Sequence, residues 1–352
     1  MADIAVSVLD SITDADPNQW NNVVEQSALG SVFQRHEWLA LAEATLDLEP
    51  KHVVAEKGGN PVGVFPNFVS PIYVPGWTKV STSLPVRELV SVDPGFGGPV
   101  VTGSEDDCLD ALFDGLERIS GFGTLHHTVR TNDLGYVRYG KPFAKRGYRP
   151  VNVNCRFRVH LERDWDDIRA DMDADRRRAL RQMDDRDVTY RDVPLEPEPL
   201  RETYEAYCRN IERAGGETFD FDFFEGLVDR LGDRVKVFGV AVDGREVGRY
   251  LYLLDDEQST VHYYFAAIGD EAHFEDNPSE LLHAHAIQWA QARGYRYYDF
   301  GGTGADYRDG VFRHKDGYGG EAIPTCQWQK GLSRVGWPAF RAARSFYRKT
   351  TY

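Results

Sequence analysis

Alternating and helically spaced apolar positions are clearest in the second half of the chain. Val235–Val242 alternates as a strand, Asp243-Gly244 is a hairpin turn, Glu246–Leu254 returns, and Thr260–Ala267 makes a third strand, which together predict a β-meander. A helix follows from Ser279 to Arg293, with Leu281, Leu282, Ala286, Ile287, Trp289 and Ala290 on one wide face; Tyr295–Phe300 is then a strand closed by Gly301-Gly302. Ahead of the meander, Trp165–Met183 and Leu200–Ala214 each read as one helix; Ala322–Lys330 reads as a late strand and Trp337–Arg348 as a terminal helix. The first half repeats this order more faintly. Ser31–Ala44 has a helical pattern, Lys51–Glu56 and Val62–Ser70 flank a Gly58-Gly59-Asn60 turn, Asp106–Ser120 reads as a helix and Thr124–Val129 as a strand. Pro71–Pro99, rich in Pro and Gly, reads as an insertion facing a cleft.

The two halves also echo each other residue by residue. Ala55 answers Ala241, Gly58 answers Gly244, and Val62-Gly63 answers Val247-Gly248, in the same order and at almost constant offset. Such an echo implies two copies of one unit. The expected architecture is therefore mixed α+β, two tandem units, each a mostly antiparallel twisted sheet flanked by helices, at residues 1–150 and 151–352. The length of 352 residues accommodates both.

Composition narrows the setting. The chain carries 41 basic and 56 acidic residues, net charge −15, and 12% aromatics, a globular and acidic make-up. With only 9 lysines against 32 arginines and 34 aspartates, it matches the surface expected of a protein working in molar salt, where like-charge repulsion is screened. No stretch of 18 apolar residues and no basic, apolar leader is present, so a cytoplasmic protein without a membrane span is expected. Cys108, Cys155, Cys208 and Cys326 lie far apart, and His283/His285 and His126/His127 do not share a face of a regular helix or strand; neither disulfides nor a metal site is expected.

Specific motifs supply the chemistry. Y-Y-D-F-G-G from Tyr297, followed by G-V-F-R-H-K-D-G-Y-G-G from Gly310, resembles the paired signature of the Fem family of aminoacyl transferases, whose members are tandem N-acetyltransferase (GNAT) folds. The basic stretch R-R-R-A-L-R-Q-M and the segment I-E-R-A-G-G ending at Gly216 resemble that family's helices before the second domain's meander. The resemblance implies direct transfer of an activated acyl or aminoacyl group to an amine of a cell-envelope precursor, peptide or other small acceptor, with no covalent enzyme intermediate, no metal and no tightly bound cofactor. It implies Lys315 as the group that neutralises the donor's phosphate or the developing oxyanion, Gly301, Gly302 and Tyr318 as substrate-binding positions, and Arg213 facing the acceptor.

Other residues are weighed on their own chemistry. Asp299 is either an amine-side base or a loop-fixing acceptor of backbone N–H bonds, the second being favoured. Of Tyr263 and Tyr264, alternation sends one to each face, so at most one lines a cleft. Arg177 and Arg181, within the block Arg176–Arg178 and Arg181, are either donor-phosphate ligands or a solvated face paired with neighbouring aspartates. Where acetyl-CoA users of this fold cradle a pyrophosphate, Ile268–Ser279 carries Asp270, Glu271, Glu275 and Asp276 and lacks the glycine spacing, which disfavours acetyl-CoA and leaves aminoacyl-tRNA or another acyl carrier as donor. Residues 337–349 form a basic, aromatic tail that either touches anionic lipid or packs on the protein. The competing reading is a catalytically silent tandem GNAT scaffold for a nucleotide-linked or peptide ligand. The sequence leaves the oligomeric state open.

Overall fold

The computed structural model describes residues 4–72, 86–119 and 123–342. The chain divides into two compact units, residues 1–152 with 325–352, and residues 153–324.

In the first unit, β1 (Ile4–Leu9), β3 (His52–Lys57), β4 (Asn60–Phe65) and β7 (Val100–Val101) form an antiparallel sheet in the order β1-β3-β4-β7. Helix Glu105–Ile119 packs across it, and Gly115 lets the helix approach closely, since a Cβ there would meet Val53 and Val6. A second layer is built on β8 (Thr124–Arg130). The inserted strands β2 (Glu49–Pro50), β5 (Phe68–Pro71) and β6 (Arg87–Val90) lie to one side of it, with β6 parallel to β8 through Leu89↔His127 and Val90↔Thr128. On its other side β8 takes residues 327–331 of β15 (Glu321–Gly331). The expected insertion at 71–99 thus contributes a strand; its residues 73–85 lie outside the described chain. The core here includes Phe65, Phe113, Phe143, Tyr148 and Trp328.

The second unit contains the expected meander, β11 (Val235–Val242), β12 (Arg245–Asp255) and β13 (Thr260–Ala267). It is flanked by β10 (Val188–Asp192) on one side, and on the other by β14 (Tyr297–Gly304) followed by β9 (Arg149–His160). Helix Pro278–Ala292 covers one face, burying Leu282, Ala286, Ile287 and Ala290. Helices Pro197–Arg213 and Phe221–Leu231 bring Tyr207, Phe223 and Phe224 against Phe265 of β13 on the other.

Two expected helices are corrected. Trp165–Met183 is broken into Trp165–Asp171 and Ala174–Gln182: Met172 is extended, and Asp173 caps the second helix by accepting from Arg176 N at 2.8 Å. Ser31–Ala44 resolves into a 3₁₀ turn, Val32–Gln34, and a helix, His36–Thr45. The described part of the terminal helix ends at residue 342; residues 343–349 lie outside the described chain.

Candidate functional site

The site begins at a short parallel pairing in the second unit. β13 and β14 pair only through Thr260↔Tyr297, Val261↔Tyr298 and His262↔Asp299. Beyond His262 the two strands no longer pair, while β14 stays paired with β9 on its other edge, from Tyr297↔His160 to Gly304↔Asn154. The result is a wedge whose apex lies at Asp299–Gly302 and Tyr263.

Sequence explains how the apex is shaped. Gly301 has φ +76°, a left-handed conformation that L side chains adopt only with strain, and the β14–β9 register shifts across it. Asp299, 1% exposed, accepts from Gly301 N at 2.7 Å and from Arg156 Nη1 at 2.5 Å, while His262 Nδ1 lies 3.8 Å away. Burial by itself raises the Asp299 pKa, but the charge of Arg156, helped by His262 and the Gly301 N–H, outweighs it and holds the carboxyl below its ordinary value. Asp299 is thus held as a carboxylate whose hydrogen bonds to Gly301 N and Arg156 brace the bend.

Lys315 reaches the same apex from helix Gly310–Asp316. Its Nζ donates to Gly302 O at 2.8 Å. A Cβ at Gly301 would stand 3.6 Å from that nitrogen and 3.4 Å from Tyr263 O, so the ammonium, the Gly301 backbone and the Tyr263 carbonyl meet in one place. Burial lowers the Lys315 pKa to about 8, with Asp299 opposing the shift.

The glycines that follow dock this helix. Gly317 O accepts from Asp173 N at 2.8 Å, and side chains at Gly317 or Gly319 would strike Asp173 or the Asp171 carbonyl. The K-D-G-Y-G-G loop is thus seated on the break between the helices Trp165–Asp171 and Ala174–Gln182. Tyr318 is buried, stacked on Phe300 and edge-on to His283. Among the described residues neither the Tyr318 hydroxyl nor His283 Nε2 has a hydrogen-bond partner, although both are buried; His283 Nδ1 bonds the Tyr298 hydroxyl at 2.7 Å.

Tyr263 and Tyr264 depart from simple alternation. Leu251 pairs with Phe265 but Tyr252 pairs with Tyr263, so Tyr264 is an extra residue in β13, a β-bulge. The bulge puts Tyr263 against Tyr250 and His283 under helix Pro278–Ala292, and Phe265 on the opposite face.

The arginines divide differently from expectation. Arg213 donates to Ile268 O and to Gly269 O (2.5 and 3.2 Å) and to Asn210 Oδ1, tying helix Pro197–Arg213 to the far end of β13. Five residues of strand, roughly 16 Å, separate that end from Tyr263. Lys315 thus lies beside the Tyr263 backbone carbonyl, whereas Arg213 sits at the other end of the strand. Arg177 donates to Ala170 O and Met172 O, closing the end of the first broken helix. Arg181 is exposed.

Arg176 is the member of the block that sequence undervalued. Its guanidinium pairs with Glu280, bonds His314 Nδ1 at 2.8 Å and lies over the Tyr318 ring, joining three helices behind Lys315. Arg156 was missed too: β9 also carries Arg149, Asn152, Asn154, Arg158 and His160, so nothing in the sequence sets Arg156 apart until Asp299 is seen beside it.

The acidic segment after β13 is partly neutralised. Asp276 is buried against Arg245 (2.7 Å) and Arg186 (3.3 Å), and Asp270 accepts from Ala272 N. Asn277 has φ +49° and Pro278 opens the helix, so the first helical position offers no N–H. Among the described residues no group of three or more His, Cys, Asp or Glu is placed to hold a metal, and no helix is long and apolar enough to cross a membrane.

These features define a GNAT-type acyltransferase fold in tandem form. Residues 169–309 match the family described as acetyltransferase (GNAT) domain. The structure of FemX is similar over 93% of this chain and 98% of that one, with a TM-score of 0.71 at 14% identity. L-PGS from Bacillus licheniformis matches over 94% and 96% (TM-score 0.58, 12% identity). The C-terminal domain of a putative lysylphosphatidylglycerol synthetase from Agrobacterium fabrum matches over 95% and 97% (TM-score 0.57, 12% identity). No curated protein matches. The fold is the one expected from the Fem-like motifs.

Proposed function

We propose that the second unit transfers an acyl or aminoacyl group from an activated carrier to the amine of a peptide or other small acceptor, by direct attack. The observation that carries this reading is the wedge between β13 and β14 with the Lys315 ammonium at its apex. Strands that part leave backbone groups for a carbonyl to meet, and a cation beside them can stabilise the negative charge that develops on the carbonyl oxygen during attack. The donor is an aminoacyl-tRNA or a comparable carrier rather than acetyl-CoA. Supporting this, the segment after β13 has no glycine cradle, keeps Asp270, Glu271 and Glu275 exposed, and begins its helix with a proline. Likeness in fold to FemX and to a lysylphosphatidylglycerol synthetase, whose product by its name carries a lysyl group, is consistent with an aminoacyl carrier.

The chemistry is assigned to residues 153–324, where the β13–β14 wedge and Lys315 lie.

A transfer assay with aminoacyl-tRNA and acetyl-CoA as alternative donors, run in molar salt, tests the reading. Lys315→Ala is expected to lower kcat/KM by about 10²–10³ with the thermal midpoint nearly kept. Unchanged turnover would remove Lys315 from the mechanism, and a wild-type protein that binds ligand but transfers nothing from either donor would favour the silent scaffold.

A further inference from the structure

The first unit holds a second concave site, separate in sequence from the wedge. A cavity of about 430 Å³ is lined by Arg149 at the start of β9, Gln329 and Gly331 at the end of β15, Arg334 in the following turn, and Trp337 and Arg341 of the tail helix. Among the described residues no acidic side chain lines it, in a chain with 56 of them. By contrast, the cavity beside Arg209 and His273 in the second unit is walled by Glu202, Glu205 and Glu246.

Arginines elsewhere in this protein are typically used internally. Arg138 pairs with Glu105, Arg186 with Asp243, Arg234 with Glu257 and Arg249 with Glu246. Arg149, Arg334 and Arg341 are exposed, and among the described residues none has an ion-pair or side-chain hydrogen-bond partner. Three like charges kept round one concavity repel one another. Their planar guanidiniums are suited to bidentate recognition of phosphate oxygens.

The aromatic wall is held in place. Trp337 stacks on His126 (4.4 Å between ring centroids, 25° between planes), and His126 is braced by Glu88 at 3.0 Å. Trp337 is also partly exposed into the cavity, which gives a flat apolar surface beside the cations. The volume falls in the range of small-molecule sites, and its concave shape fits a compact polyanion better than a planar bilayer.

We propose that this cavity binds a small polyphosphate-bearing ligand, with Arg149, Arg334 and Arg341 on its phosphates and Trp337 against its body. The proposal does not depend on the transfer chemistry of the second unit.

Binding of inorganic pyrophosphate and of ATP to the full chain, followed by calorimetry and tryptophan fluorescence at two salt concentrations, tests it. Both probes should bind, ATP should also change Trp337 fluorescence, and the doubly substituted Arg149→Ala/Arg341→Ala protein should bind at least about tenfold more weakly with its melting temperature unchanged. Failure of the wild type to bind either probe at millimolar concentration overturns the proposal, as does binding that the double substitution leaves intact. Binding of a single-stranded RNA or of anionic phosphatidylglycerol vesicles, without binding of the small probes, overturns the small-ligand assignment in favour of that partner.

Discussion

Lys315 is an ammonium held where water is scarce, and its chemistry follows from that. Burial places its folded pKa, about 8, below its ordinary 10.5. Where the folded value is the lower one, the unfolded chain binds more protons between the two, so stability rises with pH across that window. The cost of burying the charge is thus full below pH 8 and fades towards pH 10.5. Lys315→Met should be more stable than the wild type below pH 8, with the difference shrinking as pH rises from 8 to 10.5, as denaturant titrations at several pH values would show. If the cation is what the reaction uses, kcat/KM falls as pH rises through about 8, and Lys315→Arg moves that falling limb to higher pH while retaining activity. A rising limb at the same pH would mean that the neutral amine acts instead. Asp299 depends on the opposite balance. Removing Arg156 by Arg156→Met leaves a buried carboxylate without its strongest partner, and unfolding free energy should drop by about 3–5 kcal/mol; a loss under about 1 kcal/mol would show that His262 and the Gly301 N–H suffice.

At the level of elements, the meander, its covering helix and the strand ending in D-F-G-G were legible because each is long and strongly patterned, with an unambiguous turn at Asp243-Gly244. What was not legible came from contacts far apart in sequence. The one local mark of the break at Met172 is the helix-capping Asp173, and its purpose shows only in the docking of the glycine loop at 317–320 there. The bulge at Tyr264 was not legible, because it adds a residue without a sequence signature as plain as Gly or Pro. Lys315 could be singled out by its glycine-flanked motif, whereas Arg213, chosen from a similar motif, turns its guanidinium to the backbone of Ile268 and Gly269. The bend in β14 gives a direct test of element geometry. Gly301→Ala adds a methyl at φ +76° between Tyr263 O and Lys315 Nζ and should cost roughly 1–3 kcal/mol of stability. It should also impair transfer beyond that loss, measured as kcat/KM at a temperature where the variant is fully folded.

Across the whole molecule, the chain enters the second unit through β9 and leaves it through β15, whose last residues complete the sheet of the first. The internal echo revealed the duplication but carried no trace of this return. Trp328 makes the return energetically substantial: it is 5% exposed, stacked on Phe143 and Tyr136, and set in the core of the first unit. A chain ending at Pro324 would leave β8 with an unpaired edge and a cavity where Trp328 packs. Amide exchange at Thr124–Arg130 should then lose its protection, while the second-unit meander keeps more of its own. Trp328→Ala alone should cost about 3–5 kcal/mol.

The returning strand also sets an order of events during synthesis. Domains ordinarily fold from the amino terminus as they leave the ribosome. Here residues 1–152 wait for a partner segment translated about two hundred codons later, so the early product must be kept from sticking to its neighbours until that segment emerges.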